Sequence, residues 1–131
     1  MRQAVAIVLL TLGLVFAAPA AAQSKTLHVS VLGQDHHPRV GKRWHYEVRV
    51  TDASTGNPVA CRIHLQFLFG TLPVGEVGVH VVKNGLWQET FGVPGNPSFP
   101  AAARGQHLVL QATVTAKGYR TAKAGWAIVP R

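Results

Sequence analysis

Trp44, Tyr46, Val48 and Val50 place an apolar side chain at every second position, and His45, Glu47 and Arg49 fill the gaps with polar ones. Only an extended strand, whose successive side chains point to opposite faces, turns that order into one apolar and one polar side. The same period returns along the chain and never gives way to the 3.6-residue period of an amphipathic helix. Leu27, Val29 and Val31 alternate over residues 26–32; Cys61, Ile63, Leu65, Phe67 and Phe69 over 59–69; Leu108, Leu110, Ala112 and Val114 over 108–115. A last strand is expected over 119–129, with Ala122, Ala124, Trp126 and Ile128 inward.

Turn formers punctuate these runs. Asp52-Ala53-Ser54-Thr55-Gly56-Asn57-Pro58 separates the second strand from the third, and Lys117-Gly118 precedes the last. Between Glu76 and Phe91, Lys83-Asn84-Gly85 reads as the loop of a hairpin of two short strands. A three-residue loop with left-handed Gly85 sets Val77, Val79, Val81, Trp87 and Phe91 on one face and turns Glu89 inward, which suggests an edge strand. Pro94, Pro97 and Pro100 mark residues 92–104 as a long crossover without ladder hydrogen bonds. The expectation is an all-β fold, an immunoglobulin-like β-sandwich of about seven antiparallel strands.

Ahead of the first strand, Arg2, an apolar run from Ala4 to Ala18 and small residues up to Ala22 follow the order of a secretory signal peptide. The run is shorter than the ~20 residues a helix needs to span hydrocarbon. Cleavage near Ala22 divides the chain into a leader, 1–22, and one domain, 23–131, secreted or held in the cell envelope. Loss of Arg2 leaves 12 Lys and Arg against 5 Asp and Glu, a net charge of +7. Such a balance favours acidic partners, and export removes nucleic acid from their number. Cys61 is the single cysteine, so no internal disulfide forms, and its place in the apolar alternation makes it a buried thiol.

The stretch VRVTDASTGNPV, residues 48–59, resembles the hairpin of bacterial immunoglobulin-like domains and of carboxypeptidase-regulatory, transthyretin-like sandwiches. The wider run from Pro38-Arg39-Val40-Gly41-Lys42 to Lys117-Gly118 is similar to small exported immunoglobulin-like domains, including, distantly, the copper-linked YtkA-like group. That resemblance implies the same sandwich. The copper-linked relatives are marked by methionine and histidine ligands, and here no methionine follows Met1.

Of the serines, Ser24, Ser30, Ser54 and Ser98, none sits in a Gly-x-Ser-x-Gly elbow, and no glycine loop for phosphate is present. The reading is therefore a non-catalytic, monomeric module without a cofactor that binds a protein or an anionic envelope polymer and touches membrane at most peripherally. The alternative is an exported copper- or zinc-handling protein, with His36 and His37 from one loop and His80 as ligands. His45, His64 and His107 occupy polar phases, and if their strands adjoin, one sheet face gains positive charge below pH ~6.5. Trp44, Trp87 and Trp126 all fall in the apolar phase and are expected in the core.

Overall fold

The computed structural model describes residues 24–131; the leader expected over 1–22 lies outside them. Seven strands follow in order: β1 Leu27–Gly33, β2 Trp44–Asp52, β3 Cys61–Phe69, β4 Leu72–Val82, β5 Leu86–Phe91, β6 Leu108–Thr115 and β7 Ala122–Ile128. A 3-10 turn, Ala101–Ala103, lies in the crossover before β6. They form two antiparallel sheets, β1-β2-β5 and β4-β3-β6-β7. The architecture is an immunoglobulin-like sandwich.

Each inner face is the apolar phase of its strands. Trp44, Tyr46, Val48 and Val50 of the first sheet are buried, as are Ile63, Leu65, Leu110, Ala112 and Val114 of the second. Cys61 is buried with them, and its burial raises the pKa of the thiol. Burying a side chain of this size contributes about 1.5–3 kcal/mol, which the fold needs because no disulfide shares the task.

The Asp52 turn joins the sheets as a capped unit. Asp52 is buried; its Oδ1 accepts from the amides of Ser54 and Thr55 at 2.8 and 3.0 Å, and its Oδ2 from the Tyr119 hydroxyl at 2.7 Å. These donors, Tyr119 first, hold the carboxyl below its ordinary pKa. On the β1/β7 side the sandwich is closed by backbone. Lys25 pairs with the Gly118–Arg120 segment, and Val129 and Arg131 donate to the carbonyls of His36 and Pro38 at 2.8 and 2.9 Å.

The hairpin expected between β4 and β5 does not form. β4 pairs with β3 through the two-residue loop Gly70-Thr71, and β5 pairs with β2, so Lys83-Asn84-Gly85 carries the chain from one sheet to the other. Residues 72–75, which carry Pro73 and Gly75, open a strand that starts before Glu76, where the sequence pattern began it. The expected apolar face also splits. A bulge between Leu65 and Gln66 leaves Val77 opposite no residue, and past it the parity reverses. Val82 is buried, whereas Val79 and Val81 are exposed. Glu89 does point inward from an edge strand, opposite Tyr46.

Gly85 has the expected left-handed conformation, φ 67°, for a reason beyond the turn: a Cβ there would collide with the Val50 carbonyl and the Val59 amide. Gly95, also left-handed at φ 80°, faces open space. Gly85→Ala is expected to cost about 2–4 kcal/mol, conformational strain plus a backbone clash, and Gly95→Ala only about 1 kcal/mol. Urea denaturation of the two variants measures the difference.

Candidate functional site

The strand pattern scatters the sequence-stated ligands. His36 and His37 lie beyond β1, where their Nδ1 atoms meet the carbonyls of Ala127 at 2.6 Å and Val129 at 3.2 Å. A carbonyl only accepts, so both rings carry their proton on Nδ1. His36 also stacks on Trp126, with ring centroids 4.1 Å apart. His80 sits on β4, across the sandwich on the β4/β5 side. The fold therefore does not bring His36, His37 and His80 together. The histidine that joins the first two is His107, beside a shallow hollow of ≈ 250 Å³. Among the described residues no three His, Cys, Asp or Glu side chains are placed to hold a metal ion.

The shared histidine face dissolves as well. His45 is on β2, in the first sheet, where its Nδ1 lies 3.1 Å from the Thr90 hydroxyl; His64 is on β3, in the second, with Nε2 2.7 Å from Glu76. His107 precedes β6. Arg49 and Arg62 likewise lie on different sheets, and Arg49 is taken up by Glu47 at 2.9 Å. Of the tryptophans only Trp44 is fully buried; Trp87 and Trp126 are half-buried at the sandwich sides.

Two features concentrate on the β4/β5 side. The first is polar and internal. Glu89 Oε2 accepts from the Tyr46 hydroxyl at 2.7 Å and from Trp87 Nε1 at 3.2 Å, while Oε1 accepts from Asn96 Nδ2 at 2.8 Å. The His80 ring stacks on Trp87 at 3.6 Å; its buried Nε2 has no hydrogen-bond partner among the described residues and lies 3.8 Å from Glu89 Oε2. Burial, then the Glu89 carboxylate, pushes the Tyr46 hydroxyl far above the ordinary tyrosine pKa. The cluster anchors β5 to β2 and the crossover.

The second is apolar and open. The β3–β4 hairpin carries Phe67, Phe69 and Val74 over the crossover segment 96–106, and between them lies a pocket of ≈ 530 Å³. Phe67, Phe91, Phe99, Val77 and Leu108 form its inner wall, and Asn96, Ser98, Gln106 and the Glu76 carboxylate contribute polar groups. Phe91 is in ring contact with Trp44, Tyr46, Phe67 and Phe99 at centroid distances of 5.5–6.3 Å, which makes that wall part of the core. The sequence hid this site because the aromatics that build it come from three segments, two readable as core strands and one as a crossover loop.

No protein-family model matches the chain, and no curated protein matches it by sequence. Its fold is similar to that of the superoxide reductase (neelaredoxin) from Ignicoccus hospitalis, with a TM-score of 0.55, 13% identity and 82% of each chain covered. It is also similar to the PKD domain of an M14-like peptidase from Thermoplasmatales archaeon SCGC AB-540-F20, with a TM-score of 0.51, 10% identity, and 85% of this chain and all of that domain covered. At such identities the likeness is one of fold. The immunoglobulin-like resemblance stands at that level, and the narrower YtkA-like one has no family model behind it.

A raised folded-state pKa favours the native protein below the unfolded pKa and ceases to do so as pH rises. Tyr46 therefore supplies stability that is whole below pH ~10 and drains away above it. In Tyr119→Phe, which leaves Tyr46 as the remaining tyrosine, the tyrosinate absorbance at alkaline pH should appear only together with global unfolding. A tyrosinate signal preceding the loss of far-ultraviolet dichroism would contradict the burial.

Proposed function

We propose that this chain is an exported, non-catalytic immunoglobulin-like binding module that receives an apolar group of a protein partner in the mouth between the β3–β4 hairpin and the crossover. The observation that carries it is the ≈ 530 Å³ aromatic-walled pocket, a volume within the range of sites that enclose small ligands or anchoring side chains. Polar groups at its rim, Asn96, Ser98 and Gln106, supply orientation.

Binding of an anionic polymer by a basic track has less behind it. Arg49 projects from the first sheet, and Arg62 and Lys123 from the second, so the charge is spread over opposite faces. Scattered charge of this kind steers acidic partners and keeps the module soluble. Export rests on the leader-like pattern of residues 1–22, and the partner is then an envelope or extracellular protein.

The neutral probe N-phenyl-1-naphthylamine reads the mouth directly. Its fluorescence should rise saturably with one site per chain and change little with salt, since apolar burial is not screened. Ala102 is exposed on the pocket rim, so Ala102→Trp is expected to fill the mouth and reduce probe affinity at least about tenfold, with the melting temperature kept. Absent saturation, or unchanged affinity in that variant, rejects the site.

A further inference from the structure

Of the six exposed large apolar side chains among the described residues, Phe69, Leu72, Val74, Val79 and Val81 lie on β4 or at the end of β3 that turns into it; Leu32 is the sixth. β4 is an edge strand: β3 covers one side, and among the described residues no strand pairs with the other. Edge strands are ordinarily protected by a charge, a proline or a bulge, because their free amides and carbonyls accept another strand. β4 has such protection only in its first half, where Pro73, Glu76 and two register shifts fall. The second half, Gly78–Val82, is regular, pairs residue for residue with Leu65–Cys61, and carries no formal charge.

The charge along the chain says what fits there. Residues 63–82 contain no lysine or arginine in a protein of net charge +8, and their one acidic residue is Glu76. Lys83 follows immediately. Two copies of β4 running antiparallel would place the acidic end of each against the basic end of the other. The regular segment is centred on His80, so laying it on itself pairs Val79 with Val81 of the second copy and Val81 with Val79. Glu76 shares the outer face with Val79 and Val81, where its carboxylate meets His64 and Gln66 of β3, and Lys83 follows the last residue of the strand.

We propose that the free edge of β4 is a dimerisation edge, joining two copies through Gly78–Val82 into one continuous eight-stranded sheet. A two-fold axis at His80 makes the contact self-complementary and closed, so it ends at the dimer. Cross-strand Val79–Val81 contacts set the register, and the antiparallel arrangement brings the Glu76 end of each copy toward the Lys83 end of the other. The pocket opens on the inner side of the hairpin and shares Glu76 with this edge, while Gly78–Val82 lie outside its lining.

Sedimentation equilibrium of the purified chain at about 100 µM, a concentration suited to a small interface, tests this. The expected mass is twice that of one chain, and Val79→Lys with Val81→Lys returns it to one. Val81 is 77% exposed, so Val81→Lys alone carries the test if the double variant melts early. Glu76→Lys and Lys83→Glu should each weaken the dimer about threefold to tenfold, and the two together should restore it. Ala102→Trp leaves the dimer unchanged, which separates this proposal from the binding reading. A monomer at that concentration, a dimer indifferent to the lysines, or charge reversal without mutual rescue overturns it.

Discussion

The sandwich depends on a wedge of aromatic rings at one end of its core. Phe91 of β5 touches Trp44 and Tyr46 of β2, Phe67 of β3 and Phe99 of the crossover, so a single ring bridges both sheets and the connection between them. Stacked and edge-on pairs of this kind add about 0.5–1.5 kcal/mol each beyond the area they bury. In a domain whose one cysteine is buried and unpaired, that wedge performs the fastening that a disulfide provides in sandwiches that have one. It also fixes the pocket, whose inner wall is the outer surface of the same rings.

The two sides of the sandwich are closed by different physics. On the β1/β7 side, Lys25 and residues 129–131 add backbone hydrogen bonds between the sheets, and the rings of His36 and Trp126 stack above them. Gly33 belongs to this closure, since a side chain there would occupy the space of the Trp126 and Trp44 indoles. On the β4/β5 side no ladder crosses the gap. Glu89 holds Tyr46, Trp87 and Asn96 through its two oxygens, and His80 lies flat on Trp87. The unpaired His80 Nε2 is where that arrangement falls short of full polar satisfaction.

Much of this was written in the sequence wherever a strand lies in the middle of a sheet. β2 and β6 bury a complete face, and β3 does so up to Phe67, beyond which Phe69 is exposed, so their alternation is strict and their positions and inward residues follow from it. Pairing was not legible to the same degree. Alternation tells which way a side chain points and nothing about which strand lies beside it, and Lys83-Asn84-Gly85 serves a sheet-to-sheet crossing as well as it would a hairpin. The histidines suffered the same loss. His36 stands in a polar loop and His80 interrupts an apolar run, and only strand order reveals that they lie on opposite sides of the sandwich. The pocket was invisible because the hydrophobic residues that line a mouth and those that fill a core are the same residues.

The bulge at Val77 shows why the reading failed on β4 and why that strand matters. A regular strand with alternating valines would send Val77, Val79 and Val81 to one face and bury all three. One extra residue beside Leu65, accommodated with Gly78 at φ 130°, sends Val77 into the pocket wall and Val79 and Val81 out to solvent. Six consecutive residues thereby serve the core through Val82, the mouth through Val77 and the open edge through Val79 and Val81. A strand whose only task was to complete a sandwich would place polar side chains at 79 and 81, as β2 and β3 do on their own outer faces with Glu47, Arg49, Arg62 and His64. Val79 and Val81 instead stand exposed on the outer face of an edge strand, where a charge, a proline or a bulge is the usual protection.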